Sequence, residues 1–114
     1  MQHSLQLMLG FYAKKKISLE KIVEKMCHAP AVAFRVKNRG FIREGYYADL
    51  VLVDLKKQTT ISKENILYKC GWSPFEGTSF NGAIDSTFVN GNRVYHQGNF
   101  DESNLGKRLT FAKR

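Results

Sequence analysis

The stretch GFIREGYYADLVLVDL, Gly40 to Leu55, is where the chain changes its hydrophobic period, and that change decides the fold. Phe41 and Ile42 make a short β-type run, Glu44 and Gly45 supply a turn, and Leu50, Val51, Leu52 and Val53 then follow without a polar break. Four consecutive apolar residues predict a strand covered on both faces.

Upstream of Gly40 the period is helical. Leu5, Met8, Leu9 and Tyr12 form an i, i+3, i+4, i+7 stripe with Ser4 in the capping position. After Lys14, Lys15, Lys16 and Ile17, Ser18 is a second cap, followed by Leu19, Ile22, Val23 and Met26 at the same spacing. That helix is expected to end near His28. Pro30 fits the first turn of a third, short helix, where its missing N–H costs nothing, and Ala31, Val32, Ala33, Phe34 and Val36 give it an apolar face. Residues 1–36 therefore read as helical.

Downstream the signals are of β type. A polar stretch from Lys56 to Thr60 leads to Ser62, a cap for a single turn through Asn65 and Leu67, and then to the loop CGWSPFEG, Cys70 to Gly77. Ile84, Ser86 and Phe88 alternate with Asp85, Thr87 and Val89, Asn90 and Gly91 supply the positive φ angles of a two-residue hairpin turn, and Arg93, Val94 and Tyr95 run back. Residues 37–97 form this β part, and residues 98–114 a polar, basic tail with little to bury. The fold class is α+β as a fragment: helices that never alternate with strands suggest layers taken from a larger body.

Composition narrows the class of protein. A chain of 114 residues holds one ordinary domain at most, and 43% hydrophobic with 25% charged residues describes a globular chain. No run approaches the roughly 18 to 20 apolar residues of a membrane span, and His3 and Lys14 to Lys16 interrupt any apolar leader. A cytoplasmic protein is the expectation. Cys27 and Cys70 have neither the density of a disulfide scaffold nor the close pairing of a zinc site, and His3, His28 and His96 are equally scattered. No metal site within the chain is expected, and no cofactor.

The formal charge of +8 would suit a nucleic-acid partner, and 11 Lys and Arg against 5 Asp and Glu put most of the excess in residues 1–57. Lys14 to Lys16, however, stand at a helix end, where cations favour the dipole, and Arg35, Lys37 and Arg39 alternate through a connection. No nucleic-acid motif accompanies them, so neither nucleic acid nor membrane is expected as a partner.

Three segments carry a resemblance. KISLEKIVEKMCHAPAVAF, Lys16 to Phe34, resembles the last barrel helices of cyclic amidohydrolases, and GFIREGYYADLVLVDL resembles that family's return into its small β-sandwich. CGWSPFEG, the hairpin FVNGNRVYHQG from Phe88 to Gly98, and the opening QHSLQ from Gln2 to Gln6 are most similar to dihydroorotases, with related loops in allantoinases and dihydropyrimidinases. The resemblance runs from Gln2 to about Gly98. It implies the last helices of a (β/α)8 barrel followed by the C-terminal half of a small β-sandwich. It also implies a zinc enzyme that interconverts dihydroorotate and carbamoyl aspartate in pyrimidine biosynthesis. The family's His-X-His pair, carboxylated lysine, later histidines and catalytic aspartate match nothing here. The chain is thus expected to begin after the eighth barrel strand, to hold no catalytic residue and no metal ligand, and to be inactive alone.

Few residues then remain as candidates. His3 follows the eighth-strand loop of the resembled enzymes and is the one substrate-binding candidate near the barrel mouth, against a simpler role at a helix start. Asp49 and Asp54 flank the apolar strand and are read as turn and strand-end hydrogen-bond acceptors rather than a catalytic pair. Trp72 and Phe75 are expected to pack their loop down, and Cys27 to be a small core residue of the second helix. The expected partner is the remainder of the barrel, or failing that a second copy of the chain, with a small-molecule substrate only in the full-length enzyme. The alternative is a free-standing basic module, derived from an amidohydrolase, that binds protein or nucleic acid.

Overall fold

The computed structural model describes residues 2–113. Its elements are α1 (Ser4–Ala13), α2 (Leu19–Val23), a π-helical turn (Glu24–His28), α3 (Ala29–Ala33), β1 (Leu50–Thr60), a 3-10 turn (Lys63–Asn65), β2 (Ser79–Val89), β3 (Asn92–His96) and β4 (Asn99–Phe100). The strands form one sheet in the order β1-β2-β3-β4. Among the described residues no helix is long and apolar enough to cross a membrane. The chain divides into two compact units, Met1–Ser18 with Val53–Ala83 and Leu19–Leu52 with Ile84–Arg114.

In the first unit α1 begins at Ser4, and His3 rather than Ser4 holds the N-cap position, with no side-chain cap bond. Leu9, from the apolar stripe, is buried together with Ile61, Phe80 and Ala83. Strand pairing here is antiparallel: Gln58 bonds Asn81 across the sheet at 3.1 Å, and Thr60 bonds Ser79 at 2.7 Å. Gly82 permits the helix to lie against the strand. At φ +106° it occupies a backbone region that side chains avoid, and a Cβ there would sit 3.0 Å from both Cβ and Cδ1 of Leu9.

In the second unit the helical stretch does not end near His28. α2, the π turn and α3 run head to tail from Leu19 to Ala33, and the Ala29 N–H bonds to the Glu24 carbonyl five residues back. The cause is Pro30. In a regular helix its ring would meet the Met26 carbonyl and its missing N–H would break the ladder, so a single widened turn absorbs both defects and the helix continues. The same turn leaves Cys27 exposed rather than in the core. The apolar run after Pro30 also overshoots: Phe34 ends the helix, Arg35 takes φ +56°, and Val36 forms a β-bridge with Phe111 of the tail. Ile22 and Ala31 are buried, whereas Val32 and Phe34 are 65% and 71% exposed.

The hairpin follows the expected design. Asn90 and Gly91 take φ 52° and 84°, Val89 pairs with Asn92, and a bulge between Thr87 and Phe88 shifts the pairing so that Ser86 meets His96. The apolar run of β1 departs from expectation, because Leu50, Val51 and Leu52 are exposed instead of covered on both faces. A doubly covered strand needs a layer on each side and a neighbour on each edge, and β1 ends the strand order.

Candidate functional site

A concave feature of the first unit lies at the start of α1. Gln2 is clipped to the segment after the 3-10 turn: its amide nitrogen donates to the Asn65 carbonyl at 2.6 Å and its amide oxygen accepts from the Leu67 N–H at 2.9 Å. That clip sets His3, at the next position, against Tyr68 and Phe75, whose rings meet its imidazole edge-on with centroids 5.9 and 6.3 Å away. Phe75 in turn packs edge-on against buried Phe80 at 5.6 Å. Ser73 is buried, and its Oγ accepts the Phe75 N–H at 3.1 Å, tightening the turn that presents the phenyl ring. A cleft of about 460 Å³ results, lined by His3, Ser4, Leu7, Tyr68, Cys70, Trp72, Ser73, Pro74 and Phe75.

His3 is 5% exposed, so the structure places it in the wall of a cleft and not on the surface. Its Nδ1 lies 3.3 Å from Gln6 Oε1, whereas Nε2 is buried without a hydrogen-bond partner. Phe75 packs its loop down as expected. Trp72 does not: it stands 61% exposed at the cleft. Tyr68 and Ser73 were not legible as site residues, because what unites them with His3 is proximity across more than sixty positions of sequence, whereas Leu7 stands one helical turn after His3. The nearest local signal is the Ser73–Pro74 turn.

In the second unit Arg39 and Asp49 are tied into structure. Asp49 accepts from the Arg39 guanidinium and, at 2.9 Å, from the Asn90 N–H, while Arg39 Nη2 reaches Asn90 Oδ1 at 2.8 Å. Arg39 is buried and stacks 4.1 Å above the Tyr47 ring. Asp54, in the first unit, accepts the N–H groups of Lys56 and Lys57 at 2.9 and 3.2 Å. Both aspartates thus serve as turn and strand-end acceptors. Ser86, His96 and Asp85 have the residue types of a hydrolytic triad in the wrong order. Ser86 Oγ donates to Asp85 Oδ2 at 2.8 Å and meets His96 Nδ1 at 2.9 Å, so its only proton is already held by a carboxylate, and the residue is 2% exposed.

Three exposed carboxyls titrate below their ordinary range. Glu24 is held below its usual range chiefly by its hydrogen bond from Lys21, Glu64 by Ser62, and Asp101 by Ser103. Among the described residues no group of three His, Cys, Asp or Glu side chains is placed to hold a metal ion.

Residues 1–94 match the Amidohydrolase family. Dihydroorotase of Pyrococcus horikoshii is 35% identical over 109 residues, 96% of this chain and 26% of that enzyme. Allantoinase of Desulfitobacterium hafniense is 34% identical over 95% of this chain and 24% of its own length. Among solved structures, the L-hydantoinase (dihydropyrimidinase) of Arthrobacter aurescens superposes with a TM-score of 0.76 at 35% identity, over 85% of this chain and 22% of that one. The chain therefore spans about a quarter of the length of the relatives it matches.

Proposed function

The chain belongs to the amidohydrolase family, and from that membership we propose that it is the C-terminal segment of a dihydroorotase-like enzyme, which interconverts dihydroorotate and carbamoyl aspartate. The observation that supports this most is identity of about one third to dihydroorotases over nearly the whole chain, joined to the Ser73 to Gly77 loop. In this reading α1, α2 and α3 are the last helices of a (β/α)8 barrel, and the sheet is the C-terminal half of a small β-sandwich. The protein acts in the cytoplasm.

Zinc belongs to that reading only through residues outside this chain, since no described cluster here fits a metal centre. The segment alone is expected to be inactive. Its contribution is structural, and the remainder of the barrel covers what is now bare: Val51, Leu52, Val32, Phe34 and Ile42, with Ile42 89% exposed. Without that cover the isolated chain self-associates, which light scattering at low micromolar concentration reads directly; a stable monomer that binds no apolar dye refutes it.

Immunopurification from the source cells, with an antibody against Cys70 to Gly77, tests the whole reading. A long polypeptide that carries zinc and hydrolyses dihydroorotate in preference to allantoin or hydantoin is expected. Recovery of a 114-residue species with no hydrolase partner, or a preference for allantoin, overturns it.

A further inference from the structure

Where β3 ends against β2, three side chains form a hydrogen-bonded chain with a fixed direction. Ser86 Oγ donates its single proton to Asp85 Oδ2 at 2.8 Å, and the same oxygen stands 2.9 Å from His96 Nδ1. With that proton spent, the second contact is a hydrogen bond only if the imidazole donates, so the ring carries its proton on Nδ1. Ser86 is 2% exposed, and water does not compete for the middle of the chain. Asp85 is fixed from its other side, because its Oδ1 accepts the Gln97 amide at 2.8 Å, while its Oδ2 lies 3.8 Å from His96 Nδ1. His96 Nε2 is then left with a lone pair. The side chain is 40% exposed and Nε2 is not enclosed, so that lone pair reaches solvent. The other two histidines differ: His28 lies flat on the Phe41 ring at 4.3 Å, and His3 has its Nε2 buried.

We propose that His96 Nε2 is a nucleophilic site that accepts acyl groups from small neutral donors with a good leaving group, anhydrides and activated esters. As an imidazole nitrogen attacks a carbonyl the ring becomes positively charged, and the Nδ1–H bond strengthens with that charge because the acceptor chain ends on a carboxylate. Ser86 is the link and Asp85 the anchor. Nε2 forms the new bond to the carbonyl carbon, the leaving-group oxygen departs with its bonding pair, and the Nδ1 proton passes by way of Ser86 and Asp85 to water. Neutral donors fit better than anions, since the Asp85 side chain is one-third exposed and repels negative charge. The site is complete within residues 85–97 and stands apart from the amidohydrolase reading.

Diethyl pyrocarbonate is a suitable probe, since it transfers an ethoxycarbonyl group to an imidazole nitrogen and releases ethanol and carbon dioxide. With limiting reagent at neutral pH, peptide mass spectrometry of the 114-residue chain reads the initial rate at each histidine. His96 is expected to react about three- to tenfold faster than His28, the range that corresponds to one strengthened hydrogen bond, and His3 to react slowest. Ser86→Ala and Asp85→Asn are expected to bring His96 down to the rate of His28 while His28 keeps its own. Proton–nitrogen NMR correlation of the imidazoles is expected to show His96 protonated on Nδ1. Equal rates at His96 and His28, a proton on Nε2, or undiminished His96 reactivity in a folded Ser86→Ala chain overturns the proposal. The first two readings need no substitution, so a variant that fails to fold leaves the test intact.

Discussion

Replacing Asp49 with alanine is expected to destabilise the second unit by about 2 to 3 kcal/mol. The carboxylate accepts from the Arg39 guanidinium and from the Asn90 N–H at the tip of the hairpin, and the Gly91 N–H beside it bonds the Ala48 carbonyl at 3.0 Å. Hydrogen bonds to a charged group contribute roughly 1.5 to 3 kcal/mol each, and removing one partner of a fully buried pair costs roughly 3 to 5. Arg39 is nearly buried, with 9% of its side chain exposed, but Asp49 is one-third exposed, so water replaces part of what is lost and the figure falls below the buried limit. Urea unfolding followed by far-UV circular dichroism reads the effect. With a slope of about 1 to 1.5 kcal/mol per molar urea, the midpoint falls by about 2 M. Asp49→Asn keeps an acceptor for the Asn90 N–H and loses only the charge, so about half of that shift remains. A cycle with Arg39→Met is expected to give a coupling of about 1 kcal/mol or more, because the two side chains share one network. A midpoint shift below about 0.3 M, or strict additivity in the cycle, would show that the pair is solvated and that the hairpin tip is held by other contacts.

Three further outcomes follow from the same geometry. Gly82→Ala combines a φ of +106° with a Cβ 3.0 Å from Leu9, and is expected to lower stability by about 2 kcal/mol or more, read as the urea midpoint; wild-type behaviour would mean that α1 does not lie against the strand there. Gly91→Val meets no neighbour within 4 Å but keeps φ at +84°, so its cost is backbone strain alone, about 1 kcal/mol or more, and an unchanged melting curve would count against the type I′ turn. Glu24, Glu64 and Asp101 are depressed in the folded state, so what they contribute is complete above their ordinary values of 4.5, 4.5 and 3.8 and is lost as pH falls through the lower folded values. Acid titration of the melting temperature is expected to decline gently in that window, and Glu24→Gln to reduce the decline; a rise in stability on acidification would contradict the sign.

Local chemistry reaches some features of this protein and stops short of others. The Asn90–Gly91 hairpin, the switch from helical to β period near Gly40 and the acceptor role of Asp54 are set by residues within a few positions of one another, whereas Asp49 finds its donors, Arg39 and the Asn90 N–H, only in the folded unit. Side-chain preference for positive φ, apolar spacing and a short carboxylate beside a strand decide the first three before any packing occurs. The family resemblance belongs in the same class, since the Gly40 to Leu55 and Cys70 to Gly77 stretches are read along the chain. Packing decided the rest. Pro30 could either start a helix or widen one, and the choice of a π turn, with Cys27 turned outward, depends on α2 and α3 being held in line. Val51 and Leu52 have the composition of a doubly covered strand, but cover comes from other layers, and β1 has none on its outer edge among the described residues. The cleft is the extreme case. His3 meets Tyr68 and Phe75 only because Gln2 bonds to backbone groups at Asn65 and Leu67, and the unpaired Nε2 exists only in that folded arrangement. No periodicity encodes a contact across sixty residues; it arises from burial and hydrogen-bond satisfaction summed over the whole unit.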